Sequence, residues 1–247
     1  MHVSMIELKG ALKRCFEAAG YFVGNYEDAA NMIVWLEKHG LQGLDALART
    51  LPYIEIDNTK ELSKLIYQDS ASAIIESHNR SSLNSIAAAV DLAYAKSLVT
   101  SIATVTVNNA HNRMFVLKAI TDCGRRGVSA MAYWKNSARN VCEHTASIGA
   151  GHRYPSYQEA YTGLPADDCE RQNLVIICSA HVDLSSTLQQ SDADRGIKKI
   201  SAAQIEANKE QSIDFGIDID AYLWIKINSI GKAVLVASTD QSRQGAG

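Results

Sequence analysis

The stretch whose residue types best suit chemistry is Thr104-Val105-Thr106-Val107-Asn108-Asn109-Ala110-His111-Asn112-Arg113. An imidazole titrates near neutrality, so His111 is a natural donor or acceptor of a proton during a reaction. Ile102 to Val107 alternates β-branched residues, which predicts a strand. Asn108 and Asn109 are expected to end it, because short amides compete for backbone partners and tolerate turn dihedrals. A helix after that turn would leave His111 at a strand's carboxyl end, where open α/β sheets bind ligands. A polar turn with a helix-capping asparagine is the simpler account of the same residues.

Other residues offer less. His144 and His152 lie eight apart, and no carboxylate or cysteine spacing completes a zinc site, so no metal is expected. Asp167-Asp168 and Asp192-Ala193-Asp194 lack the glycine and terminal glutamate of a calcium loop and read as solvated acids. Cys142-Glu143-His144 places a thiol beside a base, but sequence neighbours rarely supply that geometry. No Gly-x-Ser-x-Gly, P-loop or Gly-x-Gly-x-x-Gly pattern is present.

Composition sets the frame. The 247 residues suffice for one large domain or two modest ones, with 47% hydrophobic and 21% charged residues. A formal net charge of −3 gives no reason to expect nucleic acid or an anionic membrane as partner. No apolar run reaches the roughly 20 residues of a membrane span, and the N-terminus lacks the regions of a signal peptide. The five cysteines (15, 123, 142, 169 and 178) form no CxxC pair, which fits reduced thiols in a cytoplasmic protein. Cys15 and Cys178 sit in apolar segments as small core residues.

The elements that would position His111 fall into an α+β order. Residues 1–65 read as a helical unit. Ser4 and Glu7 form a capping box before Leu8, Leu12, Cys15, Phe16 and Ala19, and Gly20 closes that helix. Asn25 is expected to cap a second helix ending at Gly40. A third, from Leu44 to about Thr50, should stop before Pro52, and Asp57-Asn58-Thr59 reads as a turn. Residues 70–185 read as an α/β sheet domain. Its elements are a strand at 71–77, an alanine-rich helix at 81–97, the strand at 102–107, a helix at 112–123 and a strand at 128–134. A buried strand follows at 173–178. Tyr154-Pro155-Ser156-Tyr157 and Gly163-Leu164-Pro165 read as loop, and 185–199 as polar surface. Residues 186–247 form an extension in which Ser201 and Gln204 start one helix, 219–230 make another, and the last residues are an exposed tail.

This order resembles the malate/L-lactate dehydrogenase family that lacks a Rossmann fold, which includes ureidoglycolate dehydrogenase and the cyclic imino-acid reductases. The matching residues are Arg49, Tyr53, the helix from Ile86 to Ala95, Asn108-Asn109-Ala110-His111 and Asn136-Ser137, across roughly residues 5–140. The resemblance implies hydride transfer between NAD or NADP and a small 2-oxo, 2-hydroxy or 2-imino acid. In that scheme His111 is the acid/base, Arg49 and Asn109 meet the substrate, and Asn136 and Ser137 orient substrate or nicotinamide. It also implies a homodimer and a C-terminal helix that returns to the helical unit; Met114, Phe115 and Trp134 are candidates for the buried patch and equally for the core.

Three departures stand out. The family's first histidine is Asp45 here, a residue that would orient an imidazole or merely cap its helix. The phenylalanine-glycine after the second histidine is Asn112-Arg113. Arg139 to His144 and Ile148 to His152 are only loose stand-ins for the glycine-rich cofactor segment. The alternative reading is therefore a non-catalytic relative that kept the scaffold to bind a small molecule or to assemble.

Overall fold

Hydrogen-bond caps open the helices at both ends of the chain. In a computed structural model, which describes residues 1–56, 63–136, 140–165, 172–185 and 197–234, Ser4 and Glu7 close a full capping box at α1 (Met5–Ala18). Leu8, Leu12, Cys15 and Phe16 form its buried face. Helix α2 (Val23–Lys38) starts two residues before Asn25, with Phe22 at its N-cap and the Phe22 carbonyl accepting from Tyr26. Helix α3 (Gly43–Ile56) does not stop before Pro52 but runs through it. The proline costs one backbone bond, that of the Ala48 carbonyl, and Ala48 is exposed, so water can satisfy the loss. The Asp57-Asn58-Thr59 turn lies outside the described residues, as do both aspartate pairs, most of 185–199 and the tail.

Eight strands then build one mixed sheet: β2 (Lys64–Gln68), β3 (Ser72–Ser81), β4 (Ile102–His111), β5 (Ser129–Asn136), β6 (Asn140–Ile148), β7 (Ser156–Pro165), β8 (Leu174–Ser179) and β9 (Ile197–Ile200). Their spatial order is β2-β3-β4-β8-β5-β6-β7-β9. Only β3 and β4 pair in parallel, through the crossover helix α4 (Ile86–Thr100); every other pairing is antiparallel. Strands β4 and β5 are joined by α5 (Val116–Arg125) and hold β8 between them. Helices α4 and α5 pack on the sheet and on each other, and α2 packs on α5.

The asparagines do not end the central strand. Pairing continues from Glu76 opposite Asn108 to Arg80 opposite Ala110 and Ser81 opposite His111. Between these points His78, Asn79 and Asn109 all take positive φ, at 51°, 59° and 53°. The left-handed tolerance of asparagine is thus used for a bulge rather than a turn. The strand ends three residues later, at Asn112 (φ 58°). The expected loop at 154–165 is mostly strand β7, and the stand-in at 139–144 lies largely in strand β6 rather than in a glycine-rich loop. Gly149-Ala150-Gly151 makes the turn that follows, with Gly151 N–H bound to the Gly124 carbonyl.

The chain closes on its beginning. A capping box of Ser201 and Gln204 starts α6 (Ala202–Phe215), and Asn208 on it donates to the His39 carbonyl at 3.1 Å. Short β10 (Ile217–Asp218) pairs with β1 (His2–Val3). Then α7 (Ala221–Gly231) runs along α1, with Gly231 against the backbone of Cys15. No helix among the described residues is long and apolar enough to cross a membrane. Phe115 and Trp134 are core residues, 0% and 3% exposed, so they cannot form the apolar patch expected of them.

Candidate functional site

The carboxyl end of β4 faces a cleft of about 520 Å³ roofed by α3. Helix α3 contributes Ala46, Arg49, Pro52 and Tyr53, one face at helical spacing. His111, Asn112, Arg113 and Met114 come from the strand end, and Trp134, Asn136 and His144 from β5 and β6. Among the described residues lining it there is no carboxylate.

The two histidines of this cleft are held in opposite ways. His111 lies flat on Tyr53, with ring centroids 4.4 Å apart and planes 20° apart. Neither of its ring nitrogens has a hydrogen-bond partner among the described residues. Burial pushes its pKa below the usual histidine value, and the charge of Arg113 pushes the same way, so the ring is neutral at pH 7.

His144 is instead committed at both nitrogens. It pairs directly across from Trp134 in the β5–β6 register and stacks on it at 5.0 Å with planes 3° apart. Its Nδ1 lies 2.7 Å from the Tyr157 hydroxyl and its Nε2 2.8 Å from Asn136 Nδ2. Tyr157 reaches Glu159 at 2.8 Å, and Arg113 reaches Asn136 Oδ1 at 2.7 Å. The directions follow from what each end can do. A carboxylate only accepts, so Tyr157 donates to Glu159 and its oxygen accepts from His144 Nδ1–H. A guanidinium only donates, so Asn136 turns its oxygen to Arg113 and its N–H to His144 Nε2. The result is one hydrogen-bonded chain, Arg113–Asn136–His144–Tyr157–Glu159. Burial, aided by Arg113 and opposed by Glu159, lowers the His144 pKa to about 4. Its neutral state is therefore fixed.

The cleft brings together three of the residues singled out from sequence: His111, Arg49 and Asn136. Arg49 is exposed and makes no hydrogen bond or ion pair among the described residues. Asn136 has one N–H and one lone pair beyond those it gives to Arg113 and His144. Asn109 and Asp45 do not line the cleft. The Asn109 amide donates to both carboxylate oxygens of Glu76, at 3.0 and 3.1 Å. Asp45 is exposed in the first turn of α3, where an acid complements the helix dipole, and Glu37 reaches over to cap Leu44 N–H at 2.9 Å. Ser137 lies outside the described residues. Cys142 is no thiol–base pair, since His144 is fully engaged and burial raises the thiol pKa.

Sequence reasoning missed His144, Tyr157 and Arg113 as members of the site. The sequence trace of His144 and Tyr157 is the alternation of β6 and β7, which puts Cys142, His144 and Ala146 on one face, and Tyr157 with Glu159 on another strand's matching face; Arg113 simply follows the end of β4.

Comparisons with known proteins agree with this architecture. The family described as "Protein of unknown function (DUF3726)" matches residues 3–91. A sequence comparison with the curated proteins gives no match. Among solved structures, a dehydrogenase from Sinorhizobium meliloti superposes with a TM-score of 0.71 at 12% identity, covering 94% of this chain and 99% of that one. Malate dehydrogenase from Entamoeba histolytica gives 0.67 at 10% identity, over 97% and 99%. Sulfolactate dehydrogenase from Methanocaldococcus jannaschii gives 0.66 at 12% identity, over 95% and 98%. At these identities the likeness is one of fold: the chain has the scaffold of malate- and sulfolactate-dehydrogenase-like proteins.

Proposed function

We propose that this chain is an oxidoreductase of the dehydrogenase or reductase type, acting on a small 2-oxo, 2-hydroxy or 2-imino acid with NAD or NADP. The observation that carries this reading is His111: a neutral imidazole with unengaged ring nitrogens, held flat on Tyr53 in a cleft with Arg49, on a scaffold shared with dehydrogenases.

The cleft suits a nicotinamide end in size and lining. Its volume falls within the roughly 300–1,000 Å³ of small-molecule sites, and the half-buried Tyr53 ring offers a planar surface in the same cleft as polar Asn136. Asn136, with its spare N–H and lone pair, would hold the carboxamide. A bound nicotinamide supplies or takes the hydride at C2 of the acid. The chain's residues do the rest. In the oxidative direction neutral His111 takes the hydroxyl proton as the C2 hydrogen leaves. In the reductive direction it must first be protonated, and a bound anion favours this by offsetting the field of Arg113. Arg49 meets the substrate carboxylate with its planar fork. Tyr53 keeps the imidazole plane fixed, which limits the orientations to be sampled.

A titration of the protein with both reduced nicotinamides, read by fluorescence and thermal shift, tests this. Micromolar binding is expected; none at millimolar concentration rejects it. The reading includes a homodimer, and sedimentation at micromolar concentrations is expected to show one; a monomer throughout rejects that part.

The second reading, a non-catalytic small-molecule binder on the same scaffold, draws support from Asp45. The residue in place of the family's first histidine points no carboxylate into the cleft, so among the described residues His111 is the one imidazole there available for proton transfer.

A further inference from the structure

Two thiols that the cleft does not use lie together where α5 meets the sheet. Cys123, near the end of α5, and Cys178, in the central strand β8, are both 0% exposed. Their sulfurs are 4.0 Å apart, although the residues stand 55 positions apart in sequence. The helix comes close to the sheet at this point. A Cβ on the adjoining Gly124 would run into the Ile148 side chain at 2.5 Å, and the Gly124 carbonyl accepts from Gly151 N–H at 2.7 Å. In the sheet, Cys178 stands between Ala103 on β4 and Ala130 on β5, so its direct cross-strand neighbours leave its side chain room to turn. The surroundings also favour one of the two sulfurs as a nucleophile. Arg126 Nη2 lies 3.8 Å from Cys123 Sγ and donates to Asp91 Oδ1 at 2.8 Å, with its guanidinium over the Tyr94 ring. The Cys178 S–H and then this cation hold the Cys123 thiol below its usual pKa, against the opposing effect of burial, whereas the same bond and burial raise that of Cys178. Arg126 further lines a cavity of about 240 Å³ with Val90, Asp91, Ala119 and Asp122. Its side chain, 41% exposed, thus stands between that cavity and a buried sulfur.

We propose that Cys123 and Cys178 are a modification site, a thiol pair that a small hydroperoxide oxidises reversibly to a disulfide. The Cys123 thiolate attacks one peroxide oxygen. An S–O bond forms, the O–O bond breaks, and the departing oxygen takes up the proton that Cys123 gave up. Cys178 then attacks the sulfenic sulfur. The S–S bond forms, the S–O bond breaks, and the hydroxyl leaves as water with the Cys178 proton. In sum the two thiols lose two electrons and two protons, and hydrogen peroxide becomes two waters. Burial and the cavity select the oxidant: hydrogen peroxide needs little more room than water, whereas a peptide disulfide cannot reach sulfurs that are 0% exposed. The product ties α5 to the middle of the sheet, and α5 begins directly after the Arg113–Phe115 turn at the edge of the cleft. The proposal is independent of the hydride reading.

Peptide mass spectrometry of the reduced, folded full chain after treatment with a small excess of hydrogen peroxide tests this. A linked peptide joining Cys123 to Cys178 is expected, with maleimide labelling of both residues lost and then restored by dithiothreitol. In Cys178→Ala the reaction should stop at the sulfenic acid, which dimedone traps on Cys123. Arg126→Gln should link roughly tenfold or more slowly than wild type, because the cation that favours the thiolate is gone. Peroxide that leaves the pair unlinked in the folded protein overturns the proposal. So does linkage that appears only in urea, since the native pair is then out of reach. Linkage as fast with oxidised glutathione as with hydrogen peroxide rejects the small oxidant, and an Arg126→Gln rate equal to wild type rejects the role of the cation. Should Cys178→Ala fail to fold, the linked wild-type peptide and the Arg126→Gln rate still decide.

Discussion

Replacing Tyr157 with phenylalanine removes one oxygen from the middle of the Arg113–Asn136–His144–Tyr157–Glu159 chain and leaves the ring volume in place. Tyr157 is 2% exposed, so the lost hydroxyl cannot be replaced by bulk water without repacking. His144 Nδ1–H then has no acceptor, and a buried unsatisfied donor costs about 1–3 kcal/mol. Glu159 loses its bond as well, but it is half-buried and regains water, so this adds roughly 1 kcal/mol or less. A total of about 2–3 kcal/mol corresponds to a fall in Tm of roughly 5–10 °C for a chain of this size. The loss should also travel. His144 can recover a partner only by moving its proton to Nε2, where it meets the Asn136 N–H; the amide must then rotate and turn its N–H toward Arg113. Urea denaturation gives the stability, and nitrogen chemical shifts of His144 give the tautomer. A stability change under about 0.5 kcal/mol, with the Nδ1–H tautomer kept in both proteins, would refute the chain of donors described here.

Acid should unfold this protein early. His39, 3% exposed and held through Nδ1 to the Trp35 carbonyl, and His144 both have pKa values lowered to about 4, mainly by burial, against 6.5 when unfolded. The unfolded chain thus binds more protons between these values, so stability is fully present above about pH 6.5 and falls as pH drops toward 4, by on the order of 3 kcal/mol per histidine. Denaturation midpoints that stay flat across this window would contradict both assignments. Among glycines, Gly43→Ala should be severely destabilising, because its Cβ would run into the Ile33 carbonyl and the Glu37 amide of α2, whereas Gly24→Ala in α2 meets nothing within 4 Å and should be neutral or stabilising by about 0.5–1 kcal/mol. Equal melting shifts for the two would refute the close helix contact.

The sequence is most legible where one local rule acts alone. Ser4 with Glu7 and Ser201 with Gln204 start helices where their spacing places them, and α7 ends at Gly231. The apolar run 173–178 is a central strand in which Leu174, Ile176 and Cys178 are buried and Val175 and Ile177 half-buried; apolar side chains on both faces hide the alternation from the sequence but leave the hydrophobicity. Legibility fails where tertiary pairing overrides a local preference. Asn108 and Asn109 have turn chemistry, yet the neighbouring β3 bulges with them and the ladder continues. Pro52 has breaker chemistry, yet one exposed carbonyl absorbs its cost. The site divides in the same way. His111 and Arg49 can be found from strand-end position and resemblance. The partners of His144 cannot, because they depend on the β5–β6 and β6–β7 registers, which no single strand encodes. Trp134 reads from sequence as patch or core alike, and it is core, with His144 and Tyr157 stacked beside it.

The central claim is that His111 transfers the proton that accompanies hydride movement. The direct measurement is steady-state oxidation of reduced nicotinamide with a panel of small 2-oxo and 2-imino acids, comparing wild type with His111→Ala while cofactor affinity is followed by fluorescence. The account predicts measurable wild-type turnover and a loss of roughly a hundredfold or more in the variant, with cofactor affinity unchanged, as removal of a general acid/base produces. Turnover that survives the substitution within severalfold, or a variant that merely melts at lower temperature, would contradict it.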